Sequence, residues 1–494
     1  MDAEFSILNP GTKEFEPLEV AAYFQDLNLY QIIEKLSAKW GKRVRNYYRY
    51  LPGTAADVAY RQAVYADVKK ESVYSTLLKY TQAMEEVDRL RREKEKVSIS
   101  IQRVVWHLRE VGAYCKVYEE LAKDLETAEP ASEGLREFLR ILKEILESGG
   151  YRELEERTEK LLEQIRRIRF TITYDKDRMS VALGTAEESS DYGDRFKKEL
   201  KNPFIADPSL TEMENACLEI LAKKKPEFFE ELKATAKLNE EYEKSVLKRF
   251  EREVIFYLSF RALQLDMEKQ GYKFATPAVS GDHKMEAKGL YDLALALVNL
   301  NTGKEVVPND FHYEEGEQFF VLTGPNQGGK TTFARSLGQL VYFTRIGLDV
   351  PAEAAVVPFF PDIQTHFSVE ESVETGRGKL KEELVRLAPM MEDDRKGSFV
   401  IINELFTTAA SYDANIMGRK VLEHFTKLEC MGIYVTHLQE LVEGQKAVVS
   451  LRAMLDDRRI QTFKITRGEA DDTACADNLV NKYRLNYEQL KERL

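Results

Sequence analysis

The sequence predicts a multidomain fold: a long-helix α region carrying a small β tip, followed by an α/β region organised around a phosphate-binding loop. Three observations predict it. Apolar residues recur every three or four positions through charged, proline-poor stretches from about Pro17 to Gln164, and again from Thr211 to Lys269. A short run rich in strand formers, Arg169 to Gly184, separates those stretches. After Lys273, helical segments alternate with short, wholly apolar runs of the kind that form buried parallel strands.

The first helical stretch has no proline between Gly53 and Glu129, and its apolar stripe includes Leu90, Val97, Ile101, Val105, Leu108 and Val111. Such a run is long for one globular helix, so it predicts either a single lever or a pair of antiparallel helices. In the strand-rich run, Asp175-Lys176-Asp177 separates two strand-like segments and predicts a β-hairpin. Loop-like sequence follows to Pro208, and Pro226 is expected to interrupt the second helical stretch. In the C-terminal part, Gln318–Thr323, Ser398–Ile402 and Met431–Thr436 read as buried parallel strands. Helices are expected around Thr332–Phe343, Lys379–Met391 and Asp413–Leu428.

Composition narrows the class. Hydrophobic residues at 43% and charged residues at 32%, with 26 Gly and 14 Pro in 494 residues, exclude a disordered or collagen-like chain and a single ordinary core. No apolar run approaches the ~18 residues of a membrane span, so no membrane partner is expected. The N-terminal sequence is acidic and mixed, unlike a secretory signal or an Arg-rich transit peptide. Cys115, Cys217, Cys430 and Cys475 lie far apart, with no CxxC pair. Together these predict a reduced, cytoplasmic protein. The net charge is −12, and residues 1–300 and 301–494 each carry more acid than base. Contact with nucleic acid is therefore expected from local patches only.

The strongest motif is Gly324-Pro325-Asn326-Gln327-Gly328-Gly329-Lys330-Thr331, followed by Thr332, which matches G-x-x-x-x-G-K-[ST] between a strand and a helix. Glycines there let backbone N–H groups curl around phosphate oxygens at a helix N-terminus. Lys330 neutralises the β/γ-phosphates, and the Thr331 hydroxyl is the expected Mg²⁺ ligand. A second apolar strand ends in Asn403-Glu404, where an acidic pair is expected. Glu404 is the candidate to activate water. Asn403 offers the metal site an oxygen but no charge. His437, after the strand Gly432–Thr436, is placed to contact the γ-phosphate and report its loss; a structural role is the alternative.

The motif just described, with the upstream Val306-Val-Pro-Asn-Asp310, Asn403–Ala414 and Val435–Leu441, resembles the ATPase domain of the MutS family of DNA mismatch-repair proteins. Near the N-terminus, Phe24–Leu36 and Gly41–Arg45 resemble the start of that family's helical core and lever. The resemblance implies a helical core and lever over residues 1–110 and a clamp arm over 111–250 with its β tip near 168–184. It further implies a returning lever helix over 251–272 and an ABC-type ATPase domain over 273–494. ATP and Mg²⁺ are the implied cofactors. DNA, held through its backbone, is the implied partner, together with a second subunit, identical or a related MutS-like chain. The opening of the chain at the helical core implies that the N-terminal mismatch-reading domain is absent, and its end implies no Smr domain. The tripeptide Phe228-Phe-Glu230 lies in a helical run and carries no such meaning.

Departures from the family pattern are specific. Asn403 stands where the family has Asp, which implies slow hydrolysis. The signature segment resembles Thr375–Glu383, in which Gly376 and Gly378 offer backbone N–H groups to a phosphate across the dimer, but Gly378 replaces the usual Ser. Val306 occupies the place of the aromatic residue that stacks on adenine. By resemblance, Ser411, Tyr412 and Asp413 fall in a loop that crosses the dimer interface.

Two basic clusters are candidates for DNA. The cluster Lys39–Arg45, followed by Tyr47, Tyr48, Arg49 and Tyr50, mixes cations and aromatics, although its place within the core favours packing. Arg166, Arg167 and Arg169, with Lys176 and Arg178, surround the expected hairpin and suit phosphate contacts; a solvated face is the alternative reading. Lys223–Lys225 reads as a solvated turn. The sequence thus predicts a dimeric, nucleotide-gated clamp on DNA acting in repair or recombination. The alternative is a nucleotide-switched ATPase that clasps another protein.

Overall fold

A computed structural model of the chain describes residues 5–10, 21–97, 100–167, 170–175, 178–183, 197–199, 219, 222–300, 302–367, 378–456, 458 and 460–468. The chain is rich in helix, contains mixed sheets and divides into two compact units. One comprises residues 1–7 and 66–254, the other residues 8–65 and 255–494. The division falls within two helices, α3 and α9 below.

The chain begins with α1 (Tyr23–Asp26), α2 (Leu29–Trp40) and α3 (Ala55–Val68). All but the last turn of α3 belongs to the second unit. Helices α4 (Glu71–Lys96) and α5 (Ser100–Ala128) form the long pair of the first unit. Their cross-helix contacts show an antiparallel register. The Tyr80 and Tyr118 hydroxyls are 3.0 Å apart, Lys79 bonds Asp124 at 2.7 Å, and Arg91 bonds Glu110 at 3.0 Å. The sequence is compatible with a single lever; the break at Val97 and the apolar stripe on each half settle it as a pair. Glu110 is buried at 1% exposure, and Lys94, Arg91 and the Tyr242 hydroxyl all donate to it. These donors hold its carboxyl well below the usual range against the opposing effect of burial.

Helices α6 (Glu133–Glu147) and α7 (Gly149–Arg167) follow, and Ser132 caps α6 by accepting from Leu135 N–H. Strands β1 (Phe170–Asp175) and β2 (Arg178–Leu183) pair antiparallel with Asp175 opposite Arg178, as the hairpin reading expects. A third strand, β3 (Lys197–Glu199), pairs with β1 inside sequence that reads as loop. The helical stretch is interrupted at Pro226, as the sequence expects: residues 222–224 are helical, Lys225 leaves the helical conformation, and Pro226 opens α8 (Pro226–Leu238), where its missing N–H costs nothing. A second break lies at Asn239–Lys244, before α9 (Ser245–Glu268).

The second unit is α/β. A four-stranded sheet has the order β4 (Ala278–Ser280), β8 (Ala354–Pro358), β5 (Glu286–Leu290), β6 (Asn309–His312). Helix α10 (Leu293–Asn299) follows β5. The larger sheet has the order β13 (Gln461–Arg467), β12 (Val448–Leu455), β7 (Phe319–Thr323), β11 (Met431–Val435), β10 (Phe399–Asn403), β9 (Ile363–Phe367). Strands β9, β10, β11, β7 and β12 are parallel, and β13 returns antiparallel at the edge. Every residue of β7, β9, β10 and β11 is buried; β7, β10 and β11 are accordingly apolar runs in the sequence, whereas β9 buries Gln364, Thr365 and His366 and does not read as a strand from the sequence. Helices α11 (Lys330–Arg345), α12 (Lys379–Leu387) and α13 (Ser411–Lys427) occur where the sequence expects them.

The two compact units do not follow the domain boundaries read from the sequence. Residues 8–65 join the α/β unit rather than the helices after them. The expected boundaries at 110/111 and 250/251 fall inside α5 and α9. The N-terminal helices bury their apolar faces on α11. Leu27 is fully buried, its carbonyl accepts from Gln339 at 3.0 Å, and the Asp26 carbonyl accepts from Arg335 at 2.8 Å. Gly338 permits this approach, because a Cβ there would lie 2.4 Å from a Leu27 methyl. Tyr48 is buried too and its hydroxyl donates to the Phe256 carbonyl, so packing accounts for this member of the first basic cluster.

Candidate functional site

The glycine-rich loop Gly324–Gly329 leaves the central strand β7, which lies between β11 and β12. Gly324 has φ +132°, and a Cβ there would lie 3.0 Å from Ala453 Cβ on β12, so only glycine fits the exit from the strand. Gly329 takes φ +88° as the N-cap of α11. Lys330 opens that helix at 5% exposure, and its Nζ donates to the carbonyls of Gly324 (2.8 Å) and Pro325 (2.9 Å). The ammonium is thus held across the mouth of the loop.

Next to it, Thr331 Oγ1 donates to Asn403 Oδ1 at 3.0 Å, joining residues 72 positions apart. Asn403 ends β10, opposite Val435 of β11, and is 7% exposed. The chain then turns sharply. Glu404 (φ +57°) and Phe406 (φ +64°) both adopt left-handed backbone, a cost on the order of 1 kcal/mol each for residues with a Cβ. Glu404 N–H donates to the Val435 carbonyl at 2.9 Å, which leaves its side chain one-third exposed. His437 Nε2 lies 3.9 Å from Glu404 Oε1.

Lys330, Thr331 and Glu404 line a cavity of about 460 Å³, a size common to small-molecule sites, whereas Asn403 and His437 stand behind Thr331 and Glu404 and do not line it. Residues Asn326 to Thr332 and Glu404 line it on one side, and Val306, Val307, Asn299 and Phe463 are among those lining it elsewhere. Asp292 lies at its inner end, where burial pushes its carboxyl up despite hydrogen bonds from Gln339 and Leu295 N–H. The sequence motifs therefore converge. Gly324 and Pro325 hold Lys330, and Asn403 reaches the site through Thr331. Gly378 does not line the cavity; it is the exposed N-cap of α12. Gly376 lies outside the described residues, as do Arg169 and Lys176. Tyr412, in the first turn of α13, is 76% exposed and also away from the cavity.

The Thr331 hydroxyl and the Asn403 amide oxygen are the hard, neutral donors that Mg²⁺ accepts, and they sit side by side. Among the described residues, no group of three or more His, Cys, Asp or Glu is placed to hold a metal ion. The donor set fits a cation that arrives with phosphate oxygens, which supply the missing charge.

Phe463 is the cavity residue that sequence reasoning missed. Ala453 pairs with Ile465, but Leu455 pairs with Gln461, so β13 bulges between them, with Phe463 at φ +57°. Asn309 pins the bulge: its amide donates to the Phe463 carbonyl at 3.1 Å and its oxygen accepts from Ile465 N–H at 2.8 Å. The signal in the sequence is faint, a single Phe in an otherwise polar edge strand.

Among the described residues no helix is long and apolar enough to cross a membrane. Residues 320–473 match the family MutS domain V. Similar proteins include the DNA mismatch repair protein MutS of Fervidobacterium nodosum, 26% identical over 207 residues, covering 40% of this chain and 24% of that protein. The protein of the same name from Thermotoga sp. strain RQ2 is 27% identical over 232 residues (44% of this chain, 29% of that one). That from Lactococcus lactis subsp. lactis is 29% identical over 218 residues (43% and 26%). The match thus spans about a quarter of the length of these relatives. The loop after β7, the β10 terminus and the β12–β13 hairpin all lie inside the matched segment, so it is residues 320–473, and not the helical part of the chain, that are similar to MutS domain V.

Proposed function

We propose that this chain binds ATP and Mg²⁺ in the cavity at the loop after β7, hydrolyses ATP slowly, and uses the nucleotide to gate a dimeric clamp on DNA. The convergence of Lys330, Thr331 and Glu404 on one cavity, with Asn403 bonded to Thr331, inside the segment similar to MutS domain V supports this reading. Lys330 exchanges two carbonyl acceptors for phosphate oxygens. Thr331 and Asn403 hold the cation, which when bound neutralises phosphate charge. Glu404 orients and deprotonates the attacking water, with His437 beside it. Asn403 contributes no charge to the cation, and this is the observation that favours slow turnover and keeps the protein-clasping reading in play. ATP turnover, mass in solution and duplex or branched-DNA binding, measured in one buffer with and without ATP, test the proposal. ATP-dependent dimers that shift DNA support the clamp. Dimers that bind ATP and ignore DNA support the protein switch. A monomer at micromolar concentration with ATP and Mg²⁺ defeats both.

The base of the nucleotide is expected against Phe463, which serves where Val306 offers no ring. Phe463→Ala should weaken ATP binding about tenfold, in line with ~1–3 kcal/mol for stacking a base on an aromatic ring, and should weaken inorganic triphosphate binding little. Equal loss for both ligands would remove Phe463 from the base site.

On the first unit, Arg166 and Arg167 are exposed in the last turn of α7, just ahead of β1, and Arg167 pairs with Glu163. Reversing Arg166, Arg167 and Arg169 to Glu should weaken DNA binding alike for all sequences. It should also flatten the salt dependence by about 0.9 in log–log slope for each phosphate no longer neutralised. Unchanged affinity and slope would place the DNA-binding surface elsewhere.

A further inference from the structure

The turn that carries Glu404 is held from outside by a buried carboxylate. Glu383, on the second turn of α12, is 5% exposed, and its Oε2 accepts from the backbone N–H of Phe406 at 3.1 Å. Phe406 is buried, and its left-handed φ turns its N–H away from the strand ladder, so this N–H needs an acceptor from another element. Leu405 and Phe406 anchor the same turn in the core of the larger sheet, with Val400, Ile402 and Leu387 of α12. Between these anchors only the side chain of Glu404 projects to the cavity. Helix α12 begins at Gly378, whose carbonyl accepts from Lys381 and Glu382 N–H and whose own position is exposed. One short helix therefore carries the acceptor for the peptide two residues beyond the candidate base.

We infer that Glu383 is a positioning residue: it fixes the left-handed turn that aims Glu404. The inference rests on the reading of Glu404 as the group that activates water. A carboxylate suits the task because a charged acceptor holds a backbone N–H more firmly than a neutral one. Burial keeps that bond from exchanging with water.

The test compares Glu383→Ala with Glu383→Gln, which keeps an acceptor oxygen at the same reach. Three quantities are measured on the full chain: ATP affinity, kcat with KM, and amide hydrogen exchange of the segment 402–410. For Glu383→Ala, ATP affinity stays within about twofold, because the residue lies off the cavity. The kcat falls about tenfold or more with KM little changed, since misaiming a reacting group by an ångström costs up to about a hundredfold. Exchange at Phe406 accelerates. Glu383→Gln restores most of the rate and the protection. Parental kcat in the Ala variant, or unchanged exchange at Phe406, overturns the inference. If Glu383→Ala does not fold, a tenfold loss of kcat in a folded Glu383→Gln with intact Phe406 protection overturns it equally. Failure of the underlying reading looks different: Glu404→Gln then leaves turnover unchanged, while Phe406 exchange still responds to Glu383→Ala.

Discussion

Replacing Lys330 with alanine is expected to abolish ATP binding at concentrations that saturate the parent, a loss of about 100-fold or more. The ammonium is 5% exposed and held at the mouth of the loop by two carbonyls, so it is already desolvated and already placed. A charge-assisted contact of this kind is worth ~1.5–3 kcal/mol, and Lys330 is placed to contact more than one phosphate oxygen. Alanine also leaves the Gly324 and Pro325 carbonyls without their donor, so the loop itself loosens. Calorimetric titration with ATP reads the effect, and Lys330→Met, which keeps the hydrocarbon stem, separates the effect of charge from that of packing. Both variants should melt within a few degrees of the parent and both should fail to bind. If either binds as the parent does, the loop after β7 is not the nucleotide site.

Asn403→Asp is expected to raise kcat about tenfold and to lower the Mg²⁺ concentration that half-saturates turnover. Aspartate is nearly isosteric with asparagine and can accept the same hydrogen bond from Thr331 that Asn403 accepts at 3.0 Å. The geometry survives, and one negative charge is added beside the cation. At an effective dielectric of about 20, two unit charges 4 Å apart interact by ~4 kcal/mol; desolvation of the new carboxylate cancels part of that. Glu404→Gln should nearly eliminate turnover and leave ATP bound, because the amide cannot take the proton from water. Rates measured across a Mg²⁺ series decide the matter. A lower rate in Asn403→Asp would show a site built around the amide, with Asn403 donating to phosphate rather than facing a metal.

Much of this site is legible along the chain because its parts are contiguous. The glycine pattern before Lys330 specifies a backbone path that needs no partner to be recognised. Strands β7, β10 and β11 announce themselves because burial on both faces leaves no polar residue in their interiors. Asn403-Glu404 is readable for the same reason, as the first polar pair after such a run. Helix boundaries are harder to read. Pro226 announces a break because proline is excluded from helix interiors but suits the first turn, whereas the second break, at Asn239–Lys244, has no proline or glycine to mark it.

The sequence by itself determined most of the long helices and the apolar strands of the larger sheet, which loop carries the glycine pattern before Lys330, and which residue departs from an acidic pair. Tertiary structure alone decided what those segments pack against. The stripe of α2 shows that one face is buried, but a hydrophobic stripe carries no address. Residues 8–65 belong with the α/β unit because Leu27 meets Gly338 and Gln339 of α11, more than 300 positions away. Phe463 reaches the cavity through a bulge in β13, and Glu383 reaches Phe406 through a single buried hydrogen bond. Each of these contacts is non-local and depends on one side chain or one backbone distortion. Local propensity and periodicity are blind to such pairings, because they measure how a residue suits its own element and not which distant element closes on it.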